Sequence, residues 1–254
     1  MSPQHPDLQA ALCDTLCTAR QKVHRLPLPA LDWSDFSVND ALAVQRQQAA
    51  HFGWFPDGHP PAWKLGGSPA SGTSTAPVPA DAVFNTPWQC PPGFAVAFGI
   101  EAEIAVRLAR DLPAGASATD VWQAIDCLFP CVEFCDTRID SPTALPAALQ
   151  LADQQSNRAI ILGPAVRPAV APDWARVIVR VDVNGHCVHT SRGAHPFIDP
   201  LSALPWLARH AAQQYNGLHA GDIIATGTWS GIHWTAPGTA TSVSFSGLGA
   251  LTLR

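Results

Sequence analysis

Two glutamates, Glu101 and Glu103, stand two residues apart in a segment where apolar side chains recur at every second position. This alternation is typical of a β-strand, which directs both carboxylates to the same side. Unpaired carboxylates repel each other, so a positive group is expected between them. Oxygen ligands without histidine or cysteine beside them favour Mg²⁺, Ca²⁺ or Mn²⁺. The alternative is a solvent-facing strand whose glutamates pair with Arg107.

A third glutamate, Glu133, lies in the apolar run 128–134. A charge in such surroundings is costly unless it is paired or bound to a metal. In strand spacing, Asp136 and Arg138 share the side opposite Glu133, and the sequence predicts a structural ion pair between them. Glu133 is therefore the next candidate for the site.

Lys64 lies in the segment AWKLGG, where a predicted strand meets a glycine turn at Gly66 that lets backbone approach a ligand closely. Only two lysines are present, Lys22 and Lys64, which suggests that Lys64 is kept for its chemistry. A partly desolvated lysine can act as an acid or base or can hold a carboxylate. The alternative is an ordinary surface lysine.

The turn TGTWSG, residues 226–231, offers backbone amides and hydroxyls that could receive a carboxylate. The residues concerned are Thr226, Gly227 and Thr228, and the alternative is a simple turn. His195 and His233 are isolated in predicted loops, and their neighbours suggest no catalytic triad. No nucleophile-elbow motif is present either.

The periodicity along the chain predicts more strands than helices. Because the two do not alternate regularly, it favours an α+β fold with a substantial β core over a doubly wound sheet. Residues 67–92 are rich in Gly, Ser, Thr and Pro and predict a long loop. The predicted helices are 6–25, 39–53 (capped by Ser37 or Asn39), 118–129, 145–152 and 200–214. The predicted strands are 94–108, 132–139, 158–163 and 176–183, then a hairpin turn at Asn184-Gly185 and further strands to the C-terminus.

Composition narrows the class of protein. The chain has 254 residues, 47% of them hydrophobic, and a formal net charge of −5, which argues against intrinsic disorder and against nucleic acid as the main partner. No apolar stretch is long enough for a membrane span, and no secretory signal is visible, so we expect a cytoplasmic protein. The seven cysteines follow no disulfide spacing and predict reduced thiols. Cys127, Cys131 and Cys135 are expected to be small buried thiols rather than a zinc site.

Taken together and in order, several motifs resemble the 2-keto-4-pentenoate hydratase and 4-oxalocrotonate decarboxylase group of the fumarylacetoacetate hydrolase superfamily. The resemblance runs from about residue 37 to the C-terminus. Its motifs are ALAVQ (41–45), AWKLG (62–66), GIEAEIAVRLARDLPAG (99–115), VEFCDTRI (132–139), LADQQSN (151–157), DPLSALPWLA (199–208) and GLHAGDIIATGTWSG (217–231).

The resemblance implies a helical N-terminal part, 1–66, on a mixed β-roll catalytic core, 67–254. It implies that Glu101, Glu103 and Glu133 hold a divalent metal, Mg²⁺ or Mn²⁺, with Lys64 beside it. A small 2-keto acid would chelate this ion, which would act as a Lewis acid. Homo-oligomers are common for such folds.

The expected activity is hydration of a 2-hydroxy-2,4-dienoate to a 4-hydroxy-2-keto acid in aromatic-compound catabolism. Alternatives are a 4-oxalocrotonate-type decarboxylase, a catalytically weak partner subunit, and an acylpyruvate hydrolase. The hydrolase ranks lower because the segment 51–60 offers His51 and His59 but no glutamate.

One departure from the group concerns an acidic segment that other members carry between the lysine motif and the glutamate strand. Residues 68–87 offer only Asp81 there. This loop is expected to shape a different pocket, which Trp63, Phe84 and Trp88 would line.

Overall fold

The computed structural model describes residues 5–141 and 144–254, so residues 1–4 of the predicted N-terminal part lie outside the described residues. The described α-helices are α1 (Pro6–Lys22), α2 (Val38–Phe52), α3 (Ala118–Ala124), α4 (Ala147–Ala152) and α5 (Leu204–Gln214). The described strands are β1 (Leu26–Pro27), β2 (Ala62–Ser68), β3 (Gly72–Val78), β4 (Val83–Asn85), β5 (Phe98–Leu108), β6 (Ile125–Cys135), β7 (Ile139–Asp140), β8 (Asn157–Leu162), β9 (Ile178–Val183), β10 (His186–Arg192), β11 (Ile223–Thr228), β12 (His233–Thr235), β13 (Thr241–Phe245) and β14 (Gly249–Leu253). The predicted α+β class is confirmed.

Two sheets form the β core. The larger has the order β3-β2-β11-β5-β6-β8-β4, with β12 also paired to β5, and it mixes parallel and antiparallel neighbours. The smaller is antiparallel, in the order β10-β9-β13-β14. One apolar cluster joins them, including Ile104 and Val132 from the larger sheet and Val181 and Val243 from the smaller. This mixed β-roll agrees with the predicted core.

The helical N-terminal part forms for local reasons. Ser37 and Asp40 form a reciprocal capping box at the start of α2, and Gly53, in the left-handed region at φ +64°, ends this helix. The buried Asp40 also accepts hydrogen bonds from the His5 backbone N–H (2.9 Å) and from Gln9 Nε2 (2.6 Å), which join α1 to α2.

The N-terminal helices share their core with a later segment. Leu12 and Leu16 of α1 and Val44 of α2 pack in one cluster with Leu149 of α4. Burial of each such side chain stabilises the folded chain by about 1.5 to 3 kcal/mol. Helix α4, far along the chain, is therefore part of the helical layer.

The predicted loop over 67–92 is wrong, because β3 and β4 lie within it. The small and hydroxyl side chains of this segment do not show the apolar alternation that indicates a strand, although Ala76 and Val78 are fully buried. Strand β3 is at the end of the larger sheet, where Pro77 is tolerated. Strand β2 spans the expected boundary at residues 66 and 67 and pairs with both β3 and β11.

The predicted helix 118–129 is right only as far as Ala124. A capping box of Ser117 and Asp120 starts α3, but Ile125 begins β6, which runs between β5 and β8. Pro130 lies within this central strand, and because proline is rare at such positions, the sequence does not indicate a strand there. The strand predicted from residue 94 begins at Phe98. Of the strand predicted over 132–139, residues 132–135 belong to β6, which ends at Cys135, and Ile139 begins β7.

Candidate metal centre

Three glutamates meet on adjacent strands of the larger sheet. In the antiparallel register of β5 and β6, Glu101 lies opposite Glu133, and Glu103 lies opposite Cys131. Alternation along a strand puts residues 101 and 103 on one face, together with the directly opposed residue 133. Glu103 and Glu133 are fully buried, and Glu101 is half-buried.

Glu103 is fixed by the turn after β11. Its Oε2 accepts a hydrogen bond from the Gly227 backbone N–H at 2.9 Å, whereas its buried Oε1 has no donor. Burial, and then the carboxylates of Glu133 and Glu101, raise the pKa of Glu103 well above its usual range. Burial and Glu133 likewise raise the pKa of Glu101 to about 7.

Glu133 takes part in two contacts with more distant segments. Asn157 Nδ2 donates to Glu133 Oε1 at 2.9 Å, and Lys64 Nζ lies 3.3 Å from the same oxygen. The other oxygen, Oε2, is buried without a donor. Glu103 and Glu133 therefore each have one buried carboxylate oxygen without a donor.

This arrangement fits a divalent cation. Three carboxylates face one ammonium group, and two buried oxygens lack a donor, which is costly unless a positive ion is present. The donor set is oxygen, as Mg²⁺ and Mn²⁺ prefer. The Cys135 thiol is close to Glu101 and Glu133, but burial raises its pKa well above the usual range, so it remains a protonated donor.

Lys64 lies on β2, which pairs with the edge strand β3 on one side and with β11 on the other, and 4% of its surface is exposed. Burial alone would lower its pKa, but Glu133, followed by Glu101, raises the pKa above its usual value. Lys64 is therefore an ammonium ion. Gln155 Oε1 accepts a hydrogen bond from its Nζ at 3.3 Å.

A cavity of about 180 Å³ opens onto this cluster. Of the predicted residues, Lys64, Gly66, Gly227, Thr228, Glu101 and Glu103 line it. Thr226 does not line the cavity. It is buried, and its hydroxyl donates to the Ile104 carbonyl at 2.8 Å.

Three further residues belong to the site, and the sequence pattern did not predict a site role for them. Gln155 and Asn157 belong to the motif LADQQSN, whose polar residues before β8 were the available signal. His195 lines the cavity, and its two ring nitrogens contact the Thr226 carbonyl (3.1 Å) and the Phe197 backbone N–H (3.3 Å). A carbonyl can only accept and an N–H can only donate, so the imidazole is neutral with its proton on Nε2. Burial lowers the pKa of His195 to about 4.

Several expected residues lie elsewhere. Trp63 packs on Tyr215, and Phe84 and Trp88 pack on each other, so the expectation that they line this pocket is wrong. Asp81 is exposed in a short 3₁₀ turn.

The histidines considered for hydrolase chemistry do not line the cavity either. His59 pairs with Asp222 at 2.8 Å, and His51 contacts Gln21 at 3.2 Å.

The predicted ion pair between Asp136 and Arg138 is wrong. Arg138 pairs with Asp153, while Asp136 accepts a hydrogen bond from the Ala97 backbone N–H at 2.8 Å. Strand β6 ends at Cys135, so residues 136 and 138 do not share the strand face on which the prediction depended.

Within the described residues, no helix has the length and apolar character that a membrane crossing requires.

Comparison with known proteins shows the family to which the chain belongs. A family model described as fumarylacetoacetate (FAA) hydrolase C-terminal matches residues 43–254. A 4-oxalocrotonate decarboxylase from Pseudomonas putida is 31% identical over 156 residues, which cover 61% of this chain and 59% of that protein. The 2-oxo-hept-4-ene-1,7-dioate hydratase of Escherichia coli is 26% identical over 262 residues, 96% of each protein.

A solved structure is similar over the whole chain. It is 4-oxalocrotonate decarboxylase from Pseudomonas putida G7 complexed with magnesium and adipate, with a TM-score of 0.86 and 24% identity, covering 100% of this chain and 99% of that one. This likeness shows the fold. Because the family model covers most of the sequence, the chain belongs to the fumarylacetoacetate hydrolase family.

Proposed function

We propose that this chain is a divalent-metal-dependent hydratase. It would convert a 2-hydroxy-2,4-dienoate with a single carboxylate into a 4-hydroxy-2-keto acid, in the catabolism of aromatic compounds. Relatives named as hydratases and decarboxylases of 2-keto acids support a 2-keto acid as the class of substrate. Glu101, Glu103 and Glu133 would hold Mg²⁺ or Mn²⁺. When bound, the cation supplies Lewis-acid stabilisation of negative charge on the oxygen at C2 of the keto acid.

One observation favours the monoacid. Among the described residues that line the cavity, Lys64 is the only cationic side chain, since burial keeps His195 neutral. Lys64 is already paired with Glu133. A second substrate carboxylate would find no cation of its own there, and burying it unpaired is costly. This argues against the dicarboxylate that a 4-oxalocrotonate-type decarboxylase would take.

Hydration needs two proton movements and one water molecule. First, C5 of the dienol gains a proton while the hydroxyl at C2 loses one, which gives the 2-keto-3-enoate. Water then adds its hydroxyl to C4, and a proton reaches C3. Lys64 Nζ carries a proton at the wall of the cavity, and we assign it as the donor to C5, with the proton that the C2 hydroxyl loses returning to this amine.

The turn after β11 orients the substrate. Thr228 Oγ1 accepts hydrogen bonds from the backbone N–H groups of Ser230 (3.3 Å) and Gly231 (3.0 Å), which leaves its own proton free to donate to the substrate carboxylate. His195, with both nitrogens engaged, shields this side from water rather than moving protons.

An ultraviolet assay tests the proposal. Loss of dienol absorbance from 2-hydroxypenta-2,4-dienoate is followed with Mg²⁺ or Mn²⁺ and again with chelator, and the product is identified. We expect chelator-sensitive formation of 4-hydroxy-2-oxopentanoate. The rate should fall at least about 100-fold in Glu103→Gln and stay at the wild-type value in the exposed control Asp81→Asn. Turnover of a keto-dienedioate with release of carbon dioxide, and none of the monoacid, would instead support decarboxylation.

A further inference from the structure

A second chamber of about 270 Å³ adjoins the 180 Å³ cavity beside Lys64 and the glutamates, which is the proposed keto-acid cavity. The two share the lining residues Gly67 and Gln155. Apolar side chains of α2, α4 and α5 supply much of its wall, among them Leu42, Leu151 and Trp206. The chamber thus lies between the helical layer and the hairpin of β2 and β3.

The carboxamide of Gln155 stands between the two spaces. Its Oε1 accepts from Lys64 Nζ, which lines the keto-acid cavity, at 3.3 Å. Its Nε2 donates at 2.6 Å to Ser74 Oγ, which lines the chamber. The amide is therefore bound at both ends and forms a partition.

The surrounding backbone is built to place this amide. Gln154, Gln155 and Ser156 all have positive φ, at 52°, 52° and 67°. Such conformations are costly for residues with side chains and persist only where the surroundings impose them. A Cβ at Gly66 would lie 3.2 Å from Gln155 Oε1, so glycine at that position leaves room for the amide.

The chamber suits an uncharged occupant. Among the described residues that line it, His210 is the one ionisable side chain, and it stacks on Trp206 with ring centroids 5.1 Å apart. Burial, and then Arg46, lower the pKa of His210, which leaves the ring neutral. Transfer of an alkyl chain from water into the chamber would be favourable, whereas a carboxylate would find no counter-charge there.

We propose that Gln155 is a specificity-determining residue that closes the keto-acid cavity against this chamber. With the amide in place, the substrate has a short side chain. Without it, the chamber joins the cavity and accepts a longer, uncharged alkyl tail. This inference rests on the proposed function, because it places the keto-acid head at Lys64 and the three glutamates.

The test is the variant Gln155→Gly, since glycine removes the amide and also suits the left-handed backbone. Calorimetry on Mn²⁺-loaded protein compares 2-oxobutanoate with 2-oxooctanoate, and kcat/KM is compared for the corresponding short and long 2-hydroxydienoates. We expect the preference for the long ligand over the short one to rise at least about 10-fold in both measurements.

Two further variants serve as controls. Gln154→Gly makes the same change beside it, at a residue that lines neither space, and should keep the wild-type preference. Adding Ala147→Phe, which fills the chamber, to Gln155→Gly should reverse the gain.

The outcomes separate the two proposals. If the wild type binds 2-oxobutanoate but Gln155→Gly shows no gain for 2-oxooctanoate, the partition is overturned and the proposed function stands. An equal gain in Gln154→Gly, or a gain that survives Ala147→Phe, overturns it too. If no protein binds either keto acid, both proposals fail.

Discussion

Arg138 and Asp153 form a buried ion pair, with Nε and Oδ1 2.5 Å apart, that fixes the segment between the helical layer and the site. Arg138 also donates to the Asp153 carbonyl and, at 3.0 Å, to the Asn157 carbonyl. One guanidinium thereby holds both ends of the segment 153–157. This segment delivers Gln155 to Lys64 and Asn157 to Glu133.

The first prediction concerns this clamp. In Arg138→Met, the buried Asp153 carboxylate loses its guanidinium partner, and we expect the free energy of unfolding to fall by about 3 to 5 kcal/mol. Urea denaturation at pH 7 measures the change. Arg180→Met, which breaks the exposed pair with Asp182, is the control and should alter stability little. Similar losses in both variants would contradict a special role for the buried pair.

The second prediction separates the metal from the fold. Three carboxylates that crowd one buried space destabilise the metal-free protein, so Glu103→Gln should raise its free energy of unfolding by about 1 kcal/mol or more. The same variant should lose most of the stabilisation that Mn²⁺ gives the wild type. Urea denaturation with chelator and with Mn²⁺ gives both values.

Asp126→Asn is the matched control for that prediction, because Asp126 pairs with Arg107 and Arg167 away from the cavity. It should keep the full response to Mn²⁺. A Glu103→Gln protein that Mn²⁺ stabilises as much as the wild type would remove Glu103 from the metal centre.

Glu101, Glu103 and Lys64 were predictable because each lies in a strand with a readable pattern. The period of two puts Glu101 and Glu103 on one face, and the apolar surroundings of Glu133 mark it as a charge in need of a partner. Strand register, which sequence does not specify, then brings Glu133 opposite Glu101.

The remainder depends on contacts between distant segments. Gln155 reaches Lys64 because three successive residues adopt positive φ and because Arg138 holds Asp153 rather than Asp136. No local pattern indicates either condition. The first part of strand β6 could not be predicted for a similar reason. Pro130 argues against a strand in the local sequence, but pairing with β5 and β8 holds this segment in the sheet.

The third prediction concerns the turn that binds Glu103. Gly227 has φ +110°, and an added Cβ would lie 3.2 Å from His195 Nε2, so Gly227→Ala should shift the N–H that donates to Glu103. Gly231→Ala in the same turn is the control, because its φ is also positive, +69°, but a Cβ there would meet no atom within 4 Å. Calorimetry should show Mn²⁺ affinity reduced at least about 10-fold in the first variant and near the wild-type value in the second. Equal affinities in the two would rule out this positioning.

The fourth prediction concerns pH and His195. Burial lowers its pKa in the folded protein from 6.5 to about 4, so the unfolded chain binds a proton that the folded protein does not between these values. Stability from this group is therefore complete above pH 6.5 and is lost as the pH falls towards 4. Relative to His195→Gln, the wild type should lose about 3 kcal/mol between pH 7 and pH 4, measured by urea denaturation across that range. His186→Gln, at an exposed position, should keep the wild-type profile, and a pH-independent difference between wild type and His195→Gln would show that His195 is not buried in its neutral form.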